Sequence, residues 1–341
     1  MPTSQFDPAR ISDPRFVSEN RLPAHSDHRW FADRAEAARG ESSFEQSLNG
    51  SWKFHYAKNL AATVPGFESP DFDHGTWDDI PVPAHIQLQG YDRPQYANSQ
   101  YPWEGHEDIA PPQAPTWYNP VGSYVKRFTL EAPLAEGERL SVTFHGAESA
   151  IALWCNGTYI GYATDAFTPS EFDLTHALVE GENLLAAQVF KWTAMSWIED
   201  QDFFRFSGLF RDVTLYRRPA VHLQDLRITT EVSQDLTTAV VRLESTLEGE
   251  GSVHAELVGV GALDDDGTLT VTDPHLWSSE DPHLYELHIE VRDASGVVVE
   301  FILQKVGIRR FGIEDGLLRI NGERVVFHGV NRHEFGARGR V

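Results

Sequence analysis

Alternation of apolar and polar positions dominates the chain from about residue 45 onward. Several segments alternate, or run apolar, with many β-branched and aromatic residues, which is typical of antiparallel strands. In the first half these are residues 124–130, 139–147, 150–163, 183–192 and 211–219. In the second half they are residues 226–232, 237–249, 252–259 and 284–310. The pattern predicts an all-β protein with one short helical stretch, between Ala32 and Arg39.

Two Asn-Gly pairs mark tight turns. Asn156-Gly157 stands between the runs LWC and TYIGY, and Asn321-Gly322 stands between LLRI and RVVF. A two-residue type I′ turn needs positive φ at both positions, which Asn and Gly tolerate. We therefore predict a β-hairpin at the first pair and a turn at the second. Residues 70–122, rich in Pro, Gly, Trp and Tyr, show little alternation and predict long loops, where binding residues are often found.

The two series of strands divide the chain into units. Residues 1–44 lack a sustained period and are predicted to be an N-terminal arm, either loose or docked. Residues 45–218 carry the first series of strands and predict a β-sandwich. Residues 219–312 have the size of an immunoglobulin-like sandwich, although they lack its Cys…Trp…Cys mark. Residues 313–341 are too few for a domain of their own, so they are predicted to begin a third unit.

Charge and cysteine content argue against several classes of protein. The 341 residues include 51 Asp and Glu but only 28 Lys and Arg, a formal net charge of −23. A phosphate backbone or an anionic membrane would repel this charge, so we expect no nucleic-acid partner and no membrane partner. The single cysteine, Cys155, excludes an intramolecular disulfide. Because no apolar segment has the length of a signal-peptide core or a membrane span, we expect a cytoplasmic protein.

Five segments of the chain resemble glycoside hydrolases of family 2, and are most similar to the large bacterial β-galactosidases. These segments are SLNGSWKF (47–54), PVPAHIQLQGYDRPQYANSQYP (81–102), LWCNGTYIGYATDAFTPSEFDL (153–174), EDQDFFRFSGLFRDVTL (199–215) and HGVNRHEFG (328–336). They occur in the same order as in that family. The resemblance implies a jelly-roll sugar-binding sandwich, then an immunoglobulin-like sandwich, and finally the first strand of a truncated (β/α)₈ catalytic barrel.

The resemblance also implies an activity, namely the hydrolysis of terminal non-reducing β-D-galactose residues, as in lactose, with retention. A retaining glycosidase needs two carboxyl groups about 5 to 5.5 Å apart. In the family both are glutamates of the barrel, downstream of the HGVNRHEFG segment. We therefore expect no catalytic residue in this chain and no activity of the chain alone. The complete enzyme is implied to use Na⁺ and Mg²⁺, with the Mg²⁺ ligands outside this chain, and to assemble as a homotetramer.

Three residues match positions that bind the sugar in the family. Asp202, in EDQD, matches an aspartate that contacts galactose and helps to bind Na⁺. Asn98, in YANSQYP, matches an asparagine that reaches the sugar hydroxyls, and His333, in GVNRHE, matches a histidine at the end of the first barrel strand. From residue type alone, the alternatives are a loop-capping aspartate, a turn-forming asparagine and a surface histidine.

Two other functions are compatible with these observations. One is a carbohydrate-binding β-sandwich protein without catalysis, and the other is a family 2 glycosidase of different specificity, such as a β-glucuronidase. The EDQD and YANSQYP segments favour galactose. A pure binding protein would have no use for the beginning of a barrel, which argues for the enzyme.

Overall fold

The computed structural model of the chain describes residues 5–130, 132–199, 202–331, 335–336 and 339–340. Strands dominate both halves, so the predicted all-β class is confirmed. The described residues contain two short α-helices and four 3₁₀ turns. They are α1 (Arg34–Arg39), α2 (Ser196–Glu199), and the turns Pro8–Ser12, Leu60–Ala62, Ile86–Gln89 and Thr175–Ala177. None of these helices is long and apolar enough to cross a lipid bilayer.

The N-terminal arm is docked rather than loose. Its strand β1 (Ser18–Glu19) joins the edge of a sheet in the first sandwich, and β2 (Trp30–Phe31) joins the edge of a sheet in the second. The predicted helical stretch is α1, which begins after Asp33 and ends at Gly40. Asp33 caps it by accepting a hydrogen bond from the backbone, and Gly40 takes the left-handed conformation that ends many helices.

The first sandwich packs a seven-stranded sheet against a four-stranded sheet. Its own strands are β3 (Glu45–Ser47), β4 (Gly50–Ala57), β5 (Asp78–Val82), β6 (Tyr96–Ala97), β7 (Val121–Thr129), β8 (Arg139–Phe144), β9 (Ala147–Glu148), β10 (Ala150–Cys155), β11 (Thr158–Ala163), β12 (Ser170–Asp173), β13 (Glu182–Phe190), β14 (Phe203–Phe204), β15 (Gly208–Leu209) and β16 (Val213–Arg218). The larger sheet has the order β1-β11-β10-β13-β7-β4-β5, and the smaller has the order β12-β8-β16-β3. Large apolar side chains such as Trp52, Phe144 and Phe172 fill the space between them.

The strands β10, β11 and β13 of the larger sheet are buried on both faces. Loop residues and the arm cover the outer face of this sheet, where the ring of Phe6 stacks on Tyr162 with centroids 5.4 Å apart. A strand that is covered on both faces needs apolar residues at every position, so β10 reads AIALWC and is buried throughout. This is why these strands appear in the sequence as continuous apolar runs rather than as alternations.

The second sandwich packs a three-stranded sheet against a five-stranded sheet. Its strands are β17 (His222–Val232), β18 (Thr238–Glu248), β19 (Gly251–Leu257), β20 (Gly261–Ala262), β21 (Thr268–Thr272), β22 (Tyr285–Asp293) and β23 (Val298–Val306). The sheet orders are β17-β18-β21 and β2-β23-β22-β19-β20. The arm therefore completes one edge of the larger sheet, and Trp30 of β2 packs in the core with Val241 and Ile289.

Two small antiparallel sheets follow the second sandwich, with the orders β24-β25-β26 and β27-β28. The remaining strands are β24 (Phe311–Glu314), β25 (Leu317–Ile320), β26 (Glu323–Arg324), β27 (Phe335–Gly336) and β28 (Gly339–Arg340). Asn321 and Gly322 both have positive φ, as predicted for the turn that joins β25 to β26. These antiparallel strands differ from the parallel strands of a (β/α)₈ barrel. The opening barrel strand near His333 stays a prediction, because residues 332–334 lie outside the described residues.

The first Asn-Gly pair forms the predicted hairpin, whereas two short strands, β5 and β6, lie where loops were expected. Asn156 and Gly157 have φ values of 50° and 79° and connect β10 to β11, which confirms the first Asn-Gly prediction. Strand β5, by contrast, lies within residues 70–122. Its sequence DDIPV has no clear alternation, and its proline is tolerated because β5 is an edge strand.

Candidate functional site

Two of the predicted sugar-binding residues flank a short ladder formed by β6 and β14. These strands are antiparallel, with Ala97 opposite Phe203. Asn98 directly follows β6 and Asp202 directly precedes β14, so both residues lie at the same end of the ladder. Both residues are exposed. The fold therefore brings together two positions that are far apart in the sequence, while His333 lies outside the described residues.

The ladder also determines which side chains share its face. Tyr96 lies on the same face as Phe204, its partner in the ladder, and as Asp202. The Tyr96 ring packs edge-on against Phe204, with centroids 5.5 Å apart, and its hydroxyl donates a hydrogen bond to Oδ1 of Asp202. This hydrogen bond to a carboxylate raises the pKa of the Tyr96 phenol. Tyr96 therefore keeps its proton and orients the Asp202 carboxylate.

Arg205 joins the two segments from the buried side of the ladder. Its backbone N–H donates to the carbonyl oxygen of Gln95 at 2.7 Å, and its Nη2 donates to the carbonyl oxygen of Ala97 at 3.1 Å. Its guanidinium carbon lies 4.5 Å from the centroid of the Phe203 ring, a cation–π contact. Since Arg205 is 3% exposed, these contacts are shielded from water. They hold the backbone of β6 against that of β14.

A cluster of aromatic rings supports the loops that carry the ladder. Trp103 packs against Tyr101, Trp192 and Trp197, with ring centroids 5.3, 5.6 and 4.9 Å apart. Tyr101, Trp103 and Trp197 also line an open cavity of about 650 Å³. Trp103 and Trp192 are 5% and 7% exposed, so these two rings act mainly as core. The connection between β5 and β7 and the connection after β13 thus contribute residues to one aromatic core.

One more carboxyl group, that of Glu199, lies close to Asp202 in the sequence. Burial raises the pKa of Glu199, at the end of α2, to about 7, and the charges of Asp165 and Glu148 act in the same direction. Among the described residues, no group of three or more His, Cys, Asp or Glu side chains could hold a metal ion. Asp202 alone offers one carboxylate, whereas a hard cation takes several oxygen ligands. The remaining ligands of a Na⁺ site would therefore have to come from elsewhere.

Tyr96 is a site residue that sequence reasoning missed. Its signal is the spacing of two from Asn98, which in an extended segment places both side chains on one face. That signal is weak by itself, because β6 has only two residues and shows no visible period. The partner strand is needed before the contact with Asp202 becomes apparent.

Two family models match the chain. The model described as "Glycosyl hydrolases family 2, sugar binding domain" matches residues 45–219, just over half of the chain. The model described as "Glycosyl hydrolases family 2" matches residues 250–309. Asn98 and Asp202 both lie within the first match, and the second match falls in the second sandwich.

Several bacterial proteins are similar to the chain over nearly all of its length. It is 45% identical to the β-galactosidase of Halalkalibacterium halodurans, over 97% of the chain and 34% of that protein. It is 43% identical to the β-galactosidase of Streptococcus thermophilus, over 96% of the chain and 33% of that protein. It is 42% identical to the β-galactosidase large subunit of Latilactobacillus sakei, over 95% of the chain and 56% of that subunit. The chain thus spans about a third of the length of the first two proteins.

Two solved structures share the fold. The β-glucuronidase of an uncultured Clostridium sp. has a TM-score of 0.64 and 21% identity, covering 94% of this chain and 52% of that chain. The β-glucuronidase of Bifidobacterium dentium, complexed with coumarin-3-O-glucuronide, has a TM-score of 0.67 and 21% identity, covering 94% of this chain and 55% of that chain. At this identity the likeness concerns the fold alone.

Proposed function

The chain belongs to glycosyl hydrolase family 2, and from this premise we propose that it forms the sugar-binding and immunoglobulin-like part of a β-galactosidase. The complete enzyme consists of this chain together with a catalytic barrel that the proposal places outside the 341 residues. It hydrolyses terminal non-reducing β-D-galactose residues, as in lactose, with retention. Within it, Asn98 and Asp202 bind the galactose.

The observation that carries the proposal is that Asn98 and Asp202 are both exposed and lie at the same end of the ladder, directly after β6 and directly before β14. An amide both donates and accepts hydrogen bonds, whereas an ionised carboxylate only accepts them. Sugar hydroxyls do both, so the pair can bind two hydroxyls of one ring in complementary ways. The identity of 45% and 43% to β-galactosidases supports galactose as that sugar.

A β-glucuronidase is the second candidate, favoured by the fold of the solved structures. Electrostatics argues against it. A glucuronide carries its own carboxylate, which the exposed Asp202 and the overall charge of −23 would repel. A neutral galactoside pays no such cost. In a carbohydrate-binding protein without catalysis, the same charges would favour a neutral sugar over a glucuronide, but they would not decide whether the protein is an enzyme.

We propose that Asp202 also binds Na⁺ in the complete enzyme. A carboxylate oxygen suits a hard cation, and Tyr96 orients the Asp202 carboxylate through a hydrogen bond to Oδ1. The ion would add positive charge beside the sugar hydroxyl that donates a hydrogen bond to Asp202. The other Na⁺ ligands, the Mg²⁺ ligands and His333 as a third sugar contact belong to the proposal on the strength of the resemblance, as do the cytoplasmic location and the homotetramer.

The catalytic pair is proposed to lie outside this chain. A retaining mechanism needs one carboxylic acid that protonates the leaving oxygen and one carboxylate that attacks the anomeric carbon. Asn98 and Asp202 do neither, since their role is to bind and orient the sugar. The part that this chain contributes is therefore recognition, and the barrel contributes the chemistry.

Assays of the chain alone and of the complete enzyme test the proposal. We expect the complete enzyme to hydrolyse o-nitrophenyl β-D-galactoside with a kcat/KM roughly a hundredfold above that for the matching β-D-glucuronide, because the site would leave the extra carboxylate unpaired. The purified chain alone should show no turnover above background. Preference for the glucuronide would establish the second candidate. Turnover by the chain alone, abolished by a substitution within it, would overturn the placement of the chemistry.

A further inference from the structure

A buried ion pair connects the starts of the two segments that carry Asn98 and Asp202. We call these segments, residues 92–98 and 191–202, the two site loops. Lys191, directly after β13, donates from Nζ to Oδ2 of Asp92 at 2.7 Å, and both side chains are 1% exposed. It is more buried than the pair of Arg218 and Glu171, whose side chains are 5% and 10% exposed. Ionic groups this far from water need partners for their other polar atoms.

Asp92 has such partners on both of its carboxylate oxygens. The Nε2 of Gln87 donates to Oδ2 at 2.9 Å, and the hydroxyl of Tyr118 donates to Oδ1. Gln87 is bound in turn to Ser207, through Nε2 to the serine Oγ at 2.8 Å and from the serine N–H to Oε1 at 2.9 Å. The network thus connects the segment before β6 with the segment after β14.

Asp92 and Lys191 are the first residues of the two site loops. The segment from Asp92 leads to Asn98, and the segment from Lys191 leads to Asp202. Asp92 has a φ of 54°, in the left-handed region, which its side-chain hydrogen bonds help to maintain. Since Arg205 ties the far ends of the two loops through the ladder, the loops are joined at both ends.

The pKa shifts of Lys191 and Asp92 are consistent with a mutual ion pair. Burial lowers the pKa of Lys191, while the charge of Asp92 opposes that effect. Burial acts to raise the pKa of Asp92, but the charge of Lys191 and the hydrogen bonds outweigh it and lower the pKa. Removing either partner would leave the other charge buried and unpaired, and the network would have to open.

We propose that Lys191 and Asp92 are positioning residues for the sugar site, which hold Asn98 and Asp202 at the separation needed to bind one sugar ring. Neither residue touches the sugar. The inference rests on the proposed function, but its structural part, the order of the two loops, can be measured without any activity.

Hydrogen exchange of the 341-residue chain tests the structural part. In Lys191→Met, the amide of Arg205, which bonds to Gln95, should exchange at least about tenfold faster, whereas the amides of β10 and β13 stay as in the wild type. Because Lys191→Met can fail to fold, Asp92→Asn, nearly isosteric, is measured beside it and should show the same local change. Arg218→Met is the matched control, since it breaks another buried pair, between β16 and β12 of the smaller sheet, and should leave the Arg205 amide unchanged.

Kinetics of the complete enzyme test the functional part. Lys191→Met should lower kcat/KM for a β-galactoside about tenfold and raise the inhibition constant of free galactose, and Lys191→Arg should restore most of both. Arg218→Met should keep kcat/KM within about twofold at a comparable loss of thermal stability. The proposal is overturned if Lys191→Met and Asp92→Asn match Arg218→Met in both measurements. A wild type without β-galactosidase activity would contradict the proposed function instead, and the exchange result would still decide the role of the pair.

Discussion

Asp202 combines a negative charge with a defined orientation. One of its oxygens accepts a hydrogen bond from the hydroxyl of Tyr96, and it lies at the same end of the ladder as Asn98. A loop-capping aspartate would require only the shape of the side chain, whereas binding of a cation and a sugar hydroxyl requires the charge as well. Changes that keep the shape and remove the charge therefore separate the two roles.

Asp202→Asn is expected to lower kcat/KM of the complete enzyme by one to two orders of magnitude. Hydrogen bonds to a charged partner are worth roughly 1.5 to 3 kcal/mol, and about 1.4 kcal/mol corresponds to a factor of ten. The substitution should also weaken activation by Na⁺, which sodium titrations of both proteins would measure. An unchanged Na⁺ response with near-normal kcat/KM would reduce Asp202 to the loop-capping role.

Tyr96→Phe removes only the hydrogen bond that orients Asp202. Since Tyr96 is 54% exposed, water partly replaces the lost donor, and we expect kcat/KM to fall by a factor of about 3 to 10. Tyr159→Phe is the matched control, because Tyr159 donates to Glu19 at 2.8 Å, another phenol–carboxylate bond, at the junction of the arm with β11. Equal kinetic effects of the two substitutions would contradict a specific role for Tyr96.

Glu300 is a buried carboxyl group at the junction of the two sandwiches. It is 0% exposed, its Oε2 accepts the backbone N–H of Leu223 at 3.3 Å, and Oε1 has no hydrogen-bond partner among the described residues. Burial raises its pKa to about 8, against the opposing charge of Arg218. The folded chain therefore holds this proton more tightly than the unfolded chain, in which the carboxyl group has its ordinary pKa of 4.5.

Glu300 should make the chain less stable as the pH rises. Its stabilising contribution is complete below pH 4.5 and is lost as the pH rises towards 8, because folding takes up a proton in that window. Glu300→Gln should leave the free energy of unfolding nearly unchanged at pH 4.5 and raise it by at least about 1 kcal/mol at pH 8.5, since one pKa unit is worth about 1.4 kcal/mol. Urea unfolding at the two pH values would show this, with the exposed Glu244→Gln as a control. Equal pH profiles for wild type and Glu300→Gln would refute it.

At the scale of elements, the long strands could be predicted from the sequence and the short ones could not. Apolar runs on both sides of Asn156-Gly157 predict strands β10 and β11, and the hairpin that joins them depends on local conformation alone. Strands β6 and β14 have two residues each, too few for any period. Their pairing depends on contacts between distant segments, such as Lys191 with Asp92, which no local pattern contains. For that reason Asn98 and Asp202 were predicted only through family resemblance, and Tyr96 was not predicted.

Gly157→Ala tests the hairpin turn. Gly157 has a φ of 79°, and an added Cβ would meet no atom closer than 3.6 Å, so the cost is conformational rather than steric. A left-handed conformation costs a residue with a Cβ about 1 to 2 kcal/mol. Thermal unfolding should show this loss, whereas Gly312→Ala in β24, where φ is not positive and no atom lies within 4 Å of the added Cβ, should be neutral. Equal midpoints for both variants would argue against a strained turn.

At the scale of the whole molecule, the arm links the two sandwiches. Strand β1 extends the larger sheet of the first sandwich, and β2 extends the larger sheet of the second. Trp30 lies at the centre of this link. Its ring packs 5.0 Å from Tyr216 and lies 3.6 Å below the guanidinium carbon of Arg218, and its backbone pairs with Ile302 of β23. One side chain thus contacts both sandwiches, and its contribution to stability should include their coupling.

Trp30→Ala should therefore do more than lower stability. Replacing a buried tryptophan by alanine typically costs about 3 to 5 kcal/mol, and Trp154→Ala, at a position 7% exposed within the first sandwich, should cost a similar amount. We expect calorimetry of the wild type and of Trp154→Ala to show one cooperative transition, because the arm still joins the two sandwiches. Trp30→Ala should show two, with the second sandwich unfolding first, since it loses part of its core and one sheet edge together. A single transition in Trp30→Ala, or two in Trp154→Ala, would mean that the sandwiches are coupled through other contacts than the arm.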